Sequence, residues 1–246
     1  MHINVVESLA QPVGELWRDL QAKETKDGFF SVAAPLSSTP RPIYRWIVDN
    51  ASMFERWKAV RFVLMDEQIE GSSVPFRYIS PEDPASYERF AMQNLLIPLE
   101  GKTGTAVRLE KPDLDRLETF SPKINLLMVA LGVRGNYANV MPGTDINTGW
   151  HVTRLIEEFR QVHTQASSDS YAGAAFREFG MSLGPQQVLE ADNVVVIISG
   201  SKKRALAEEL LSYKAFTPEF PLSIIHEPSV RQRVQIFATP DTGIRL

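Results

Sequence analysis

The sequence predicts an α/β protein of three layers, in which a doubly wound and mainly parallel sheet lies between two layers of helices. Short apolar runs rich in β-branched residues alternate with amphipathic stretches, which is the pattern of strands and crossover helices. Two of these runs, INLLMVAL at 124–131 and VVVIIS at 194–199, are apolar on both faces. Both therefore belong in the middle of a sheet that is covered on each side by helices.

The remaining elements follow in the order that this fold requires. Strands are predicted at 29–33, 60–65, 124–131, 193–199, 222–226 and 234–238, with weaker strands at 4–6 and 105–109. Helices are predicted at 9–23, 41–50, 84–96, 152–162 and 202–213. Gly, Ser, Thr and Asp are enriched at 142–149 and 165–173, which we interpret as mobile loops within a single domain spanning residues 1–246.

Composition excludes several classes of function. The chain has 26 Lys and Arg against 30 Asp and Glu, whereas a nucleic-acid-binding protein usually carries a basic excess. No apolar run reaches the roughly 18 to 20 residues that cross a bilayer, and residues 1–20 lack the pattern of a signal peptide. A cytoplasmic protein that binds neither nucleic acid nor membrane is expected. Because cysteine is absent and the four histidines are scattered, we expect no metal site and no cofactor.

The loops after the predicted strands carry the candidate binding residues, because ligands of open α/β sheets bind beyond the carboxyl ends of the strands. Ser37, Ser38 and Thr39 follow the strand at 29–33 and precede a helix, so their hydroxyl and N–H groups form a candidate phosphate cradle. The alternative is that Thr39 only caps that helix.

Lys203 lies in a second such loop, the basic turn 200–204 at the start of the last predicted helix. Three cations at that end of a helix oppose its dipole, which favours a bound anion among them. A solvated basic turn is the alternative.

Asp66 and Glu67 are candidate general bases. They follow the strand at 60–65, and repulsion between the neighbouring carboxylates could raise the pKa of one of them. A solvated turn is the alternative. Further along, Gly132 and Gly135 allow a tight turn beside a ligand. His151, in a loop rich in Gly and Thr, is the one histidine kept as a catalytic candidate.

In this order, from about residue 29 to 239, the loops resemble those of the glucosamine-6-phosphate deaminase and 6-phosphogluconolactonase superfamily. Ser38-Thr39-Pro40 resembles the end of its Gly-Gly-Thr/Ser-Pro phosphate loop, Met65-Asp66-Glu67 its strand-end Asp-Glu, and the turn 200–204 its Gly-x-x-Lys turn. The resemblance implies a modified Rossmann-like fold of the sugar-phosphate isomerase type. It also implies a phosphorylated sugar as ligand and Lys203 as the lysine that binds its phosphate. A homo-oligomer is also considered.

The departures from the family pattern fall on the residues of the chemistry. Where the family usually has Gly-x-Gly-x-Asp-Gly-His before a proline, its Asp becomes Arg134, its His becomes Asn136, and the Glu that precedes the proline in deaminases becomes Met141. Asparagine can donate a hydrogen bond but cannot titrate. Arg134 predicts a second anionic group on the ligand. Ser37 and Ser38 stand where the family has two glycines.

The resemblance and its departures lead to one main hypothesis and two alternatives. The main hypothesis is a protein of the sugar-phosphate isomerase or deaminase type, in which Asp66 removes the C2 proton while Ser38, Thr39 and Lys203 hold the phosphate. The first alternative is a non-catalytic phosphosugar-binding or regulatory protein on the same fold. The second is a lactonase whose base has moved to His151.

Overall fold

A seven-stranded parallel sheet forms the centre of the computed structural model, which describes residues 1–26, 28–71, 73–165, 171 and 174–245. The strands are β1 (His2–Val5), β2 (Phe30–Ala33), β3 (Val60–Val63), β4 (Asp66–Glu70), β5 (Arg77–Tyr78), β6 (Arg108–Glu110), β7 (Leu126–Ala130), β8 (His151–Arg154), β9 (Phe179–Ser182), β10 (Val194–Ile198) and β11 (Val234–Ala238). The order in the large sheet is β1-β11-β10-β7-β2-β3-β6, and all its pairs are parallel. The chain moves from β2 to β3 and β6 on one side and then returns to β7 on the other, so the order reverses between β2 and β7.

Helices cover both faces of this sheet. They are α1 (Ala10–Glu24), α2 (Arg41–Asp49), α3 (Tyr87–Ala91), α4 (Ile97–Thr103), α5 (Glu157–Gln165), α6 (Pro185–Glu190), α7 (Arg204–Ser212) and α8 (Pro228–Arg231), with a π-helical turn, Met92–Leu96, between α3 and α4. Side chains of a strand alternate between faces. Phe30 and Val32 accordingly pack in one core cluster with Trp17 of α1, whereas Ala33 packs in another with Leu210 of α7. The predicted three-layer α/β fold is confirmed.

A second sheet of four antiparallel strands, in the order β5-β4-β9-β8, is absent from the sequence predictions. Its strands carry little of the apolar signal that marks the large sheet: β4 reads DEQIE and β9 reads FGMS. The sheet matters for function because β4 opens with Asp66.

Two predicted elements were wrong. The apolar run 222–226 is a 3-10 helix, Pro221–His226, and not a strand. Every residue of it is buried, and periodicity alone cannot separate a short buried helix from a buried strand. The helix predicted at 152–162 is divided between β8, which pairs with β9, and α5. Glu157 and Glu158 in the first turn of α5 favour a helix start there, because carboxylates stabilise the positive end of the helix dipole.

The loop predicted at 165–173 lies mostly outside the described residues, which include only Gln165 and Tyr171 of it. Among the described residues, no helix combines the length and the hydrophobicity that crossing a bilayer requires.

Candidate functional site

A cavity of about 220 Å³ opens at the carboxyl ends of β2 and β7, where the strand order of the large sheet reverses. Ligands of open α/β sheets bind at this position, since loops from adjacent strands diverge there. The predicted site residues that line the cavity are Ser37, Ser38, Thr39, Asp66, Asn136 and Lys203. Glu67, Arg134, Gly135 and His151 do not line it. The residues expected to bind phosphate at two separate loops thus share one cavity with a carboxyl group.

The loop after β2 is fixed by two buried tyrosine hydroxyls. Tyr44 on α2 donates to the carbonyl oxygen of Pro35 at 2.6 Å, and Tyr171 donates to that of Leu36. In a trans peptide the carbonyl and the following N–H point in opposite directions, so the N–H groups of Leu36 and Ser37 point away from the tyrosines. The alternative in which Thr39 only caps α2 is wrong, since Pro40 occupies the N-cap and α2 has no side-chain cap.

Lys203 reaches the cavity from the loop after β10. It occupies the N-cap of α7, and the bend before it needs the left-handed conformation of Gly200, whose φ is +97°. Burial lowers the pKa of Lys203, and no carboxylate of the described residues is paired with it. An ammonium group that is half-removed from water without a partner favours an anion beside it.

The other two cations of this turn do not line the cavity. Lys202 is exposed, and Arg204 donates to the carbonyl oxygen of Asp241 at 3.4 Å. The carboxylate of Asp241 accepts a hydrogen bond from the Thr239 hydroxyl at 2.5 Å, and Thr239 Oγ1 in turn accepts one from the Gly200 N–H at 3.4 Å. The start of α7 therefore already has an acidic side chain of the protein itself beside it. Of the three cations in this turn, only Lys203 still favours a bound anion.

Asp66 and Glu67 are both buried, so the alternative of a solvated turn is wrong. The Asp66 carboxyl lines the cavity, and its Oδ1 has no hydrogen-bond partner among the described residues. Burial raises the pKa of Asp66 well above its usual range, and the neighbouring charge of Glu67 adds to this. A carboxyl group with a raised pKa is suited to proton transfer near neutral pH.

Glu67 points away from the cavity and anchors the start of α3. Its carboxylate accepts hydrogen bonds from the N–H groups of Tyr87 and Glu88 and from the Ser86 hydroxyl, at 2.7 to 3.0 Å. Burial raises its pKa to about 7, although these hydrogen bonds act in the opposite direction. Glu67 therefore stabilises the start of α3. Its position does not support the catalytic role that the sequence suggested for this residue.

Of the site residues predicted in the loop after β7, Asn136 lines the cavity, whereas Arg134 and Gly135 do not. Asn136 is buried, its Nδ2 donates to the carbonyl oxygen of Ala138 at 3.2 Å, and its Oδ1 has no partner among the described residues. Gly132 makes room for it, because a Cβ there would lie 2.2 Å from Asn136 Oδ1. Gly135 has a φ of +71° and packs against Phe220, so it shapes the turn without lining the cavity.

Arg134 and His151 lie elsewhere than expected. The Arg134 side chain is 64% exposed and pairs with Glu158 at 2.7 Å, so its position does not support contact with a second anionic group of the ligand. His151 opens β8, its Nδ1 lies 2.9 Å from the carbonyl oxygen of Gly149, and burial lowers its pKa. It does not line the cavity, which removes the support for a lactonase base at this residue.

Sequence reasoning missed the aromatic part of the cavity wall, formed by Tyr87, Tyr137, Phe159 and Tyr171. These residues come from four separate segments, and Tyr87 and Tyr171 meet edge to face with ring centroids 5.7 Å apart. No local pattern distinguishes such residues from those of the core. Among the described side chains, no group of three or more His, Asp or Glu is arranged to hold a metal ion.

Comparison with known proteins gives relatives of low identity along most of the chain. Glucosamine-6-phosphate deaminase 1 of Bacillus subtilis is 24% identical over 243 residues, which cover 92% of this chain and 91% of that enzyme. A glucosamine-6-phosphate deaminase of Staphylococcus epidermidis is 26% identical over 156 residues, and this match spans 63% of the chain and 62% of that relative. No protein-family model matches the chain.

Two solved structures with the same fold cover nearly all of the chain. A monomeric glucosamine-6-phosphate deaminase of the NagB superfamily superimposes with a TM-score of 0.73 at 18% identity and covers 99% of both chains. The 6-phosphogluconolactonase of Leishmania guyanensis gives a TM-score of 0.68 at 16% identity and covers 98% of this chain and 97% of its own. The chain is therefore similar in sequence to glucosamine-6-phosphate deaminases, and it shares its fold with a deaminase of the NagB superfamily and with a 6-phosphogluconolactonase.

Proposed function

We propose that this protein binds a phosphorylated hexose or amino sugar in the cavity and acts as a sugar-phosphate isomerase or deaminase with Asp66 as the base. One observation carries this proposal: residues 37–39 and Lys203 line the same cavity as the Asp66 carboxyl, whose Oδ1 has no partner among the described residues. Relatives named as glucosamine-6-phosphate deaminases support the choice of ligand.

The phosphate would lie between the loop after β2 and the ammonium group of Lys203. Hydroxyl groups and backbone N–H groups of residues 37–39 can donate hydrogen bonds to phosphate oxygens, and Lys203 supplies the positive charge. Because burial lowers the pKa of this lysine, a phosphate that stabilises its charged form gains affinity from it.

Asp66 would then face the carbon chain of the sugar. In its ionised form it accepts the C2 proton of the open-chain aldose, an enediol or enolamine forms, and the proton is returned at C1. For a 2-amino sugar the resulting C2 imine adds water and releases ammonia, which leaves the ketose phosphate. A positioned base of this kind contributes about 10²- to 10⁴-fold in rate.

The test is an assay of the purified protein with glucosamine 6-phosphate and with hexose 6-phosphates, measuring ammonia and ketose. We expect product formation that Asp66→Asn reduces by about 10²-fold or more, because asparagine cannot accept the proton. Absence of product with every substrate, or equal rates in the variant, would contradict the catalytic proposal.

A second candidate function, phosphosugar binding without turnover, is favoured by Asn136. This residue cannot titrate, and its amide is bonded to its own loop. This function predicts that the ligand raises the free energy of unfolding without being converted to product. The increase is about 2.7 kcal/mol at a ligand concentration one hundred times Kd. Lys203→Ala should abolish the shift in Tm, whereas Lys202→Ala, at the exposed neighbouring position, should retain it. An unchanged shift in Lys203→Ala would contradict this phosphate site.

A further inference from the structure

Asn139 joins the cavity loop after β7 to the second sheet. It is fully buried, and its backbone N–H donates to Ser182 Oγ at 3.2 Å while its Nδ2 donates to the carbonyl oxygen of Met181 at 3.2 Å. Both acceptors belong to β9. Gly180 of the same strand leaves space for the amide, since a Cβ there would lie 2.5 Å from Asn139 Nδ2.

The strand that receives Asn139 is paired with the strand that carries Asp66. Ser182 lies directly opposite Asp66, and Met181 lies opposite Glu67. Directly opposed residues of antiparallel strands project to the same face and hold a fixed separation of about 4.5–5.5 Å between Cβ atoms. The hydrogen bond from Asn139 to Ser182 and the pairing of Ser182 with Asp66 therefore connect the loop after β7 to Asp66.

The segment next to Asn139 needs such an anchor. Asn136, Tyr137 and Ala138 line the cavity, and Ala138 has a φ of +46°, in the left-handed region that an alanine rarely adopts. A conformation of this kind is strained and persists only where surrounding contacts enforce it. The contacts of Asn139 follow directly after the strained residue.

We infer that Asn139 is a positioning residue, which holds residues 136–138 at a fixed distance from Asp66 and thereby sets the fit of the sugar part of the ligand. The inference rests on the proposed function. On this view the two parts of the ligand depend on different residues. Residues 37–39 and Lys203 bind the phosphate whether or not Asn139 is present. The sugar part binds well only when residues 136–138 are held at the correct distance from Asp66.

The experiment compares two ligands, inorganic phosphate and glucosamine 6-phosphate, by titration calorimetry. In Asn139→Ala we expect the Kd for glucosamine 6-phosphate to rise about tenfold, the size of one lost buried hydrogen bond, while the Kd for inorganic phosphate changes less than about twofold. A general loss of protein stability would instead weaken the binding of both ligands equally. The control is Asn147→Ala. Among the described residues Asn147 bonds only to Asp145 in its own exposed loop, so this substitution should leave both Kd values unchanged.

Two further variants disturb the same anchor from the other side. Ser182→Ala removes the acceptor of the Asn139 N–H, and Gly180→Ala places a Cβ against its amide. Both should show the same selective loss, which decides the inference even if Asn139→Ala fails to fold. Equal effects on both ligands, or none, overturn the positioning role. Wild-type protein that binds neither ligand overturns the proposed function itself.

Discussion

The two sides of the cavity are held in different ways, because only one of them is attached to the small antiparallel sheet. The side that we propose to hold the phosphate, the phosphate side, consists of residues 37–39 and Lys203, which follow β2 and β10 of the large parallel sheet. The acid side consists of Asp66 and residues 136–139, and it depends on the small antiparallel sheet. Tyrosine hydroxyls fix the loop of the phosphate side from outside the sheet, whereas Asn139 fixes the loop of the acid side to β9.

Both sides combine residues that resemble the superfamily pattern with residues that depart from it. Thr39 and Lys203 resemble the pattern on the phosphate side, where Ser37 and Ser38 replace two glycines, and Asp66 resembles it on the acid side. On the acid side Asn136 and Met141 replace the titratable residues of the motif, and Ala138 adopts a strained conformation. Under the proposed function, different residues bind the phosphate and act on the sugar, so the two can be disturbed separately.

The largest effect that we expect is a pH dependence of stability that arises from Glu67, the neighbour of Asp66 on β4. Burial raises the pKa of Glu67 to about 7 in the folded protein, above the value of an unfolded chain. The folded state then binds more protons than the unfolded state between these values, so the free energy of unfolding falls as pH rises through this range. For Glu67 the decrease is at most about 3 kcal/mol. Urea denaturation from pH 4.5 to 8 measures it.

Glu67→Gln removes the titrating group, so its free energy of unfolding should fall less over this range than that of the wild type. Glu118→Gln, at an exposed position, is the control and should follow the wild type. A profile for Glu67→Gln that parallels the wild type would show that the hydrogen bonds from the start of α3 outweigh burial. It would then place the pKa of Glu67 near its ordinary value.

The next effect in size is expected from a substitution that disturbs the phosphate side. Tyr44→Phe leaves the carbonyl oxygen of Pro35 without its buried donor, which costs about 1–3 kcal/mol of stability. The loop after β2 loses one of its two tyrosine contacts. The Kd values for inorganic phosphate and for glucosamine 6-phosphate should therefore rise by similar factors. This is the opposite of the selective loss expected from Asn139→Ala. Unchanged binding of phosphate by Tyr44→Phe would show that the loop keeps its shape without the hydroxyl.

The sequence predicted that Ser38, Lys203 and Asp66 follow strand ends, where the structure places them at one cavity, but it did not predict the small sheet or the anchor of Asn139. Apolar β-branched runs mark the strands of the large sheet, and the residues that follow them, such as Ser38 and Lys203, can be placed at its carboxyl edge. The strands of the small sheet carry no such signal. The anchor of Asn139 also depends on a residue that lies 43 positions further along the chain, and no local pattern predicts a contact of that kind.

The smallest effect concerns Arg134, which belongs to neither side. Its guanidinium pairs with Glu158 at the surface, and exposed ion pairs contribute about 0–1 kcal/mol. Arg134→Ala should therefore lower the free energy of unfolding by less than about 1 kcal/mol, and it should leave the Kd of inorganic phosphate and of glucosamine 6-phosphate unchanged within about twofold. Calorimetry on the same two ligands measures this. A tenfold loss for the sugar phosphate alone would place the guanidinium on the ligand, and the acid side would then include a cation that replaces the acidic residue of the family motif.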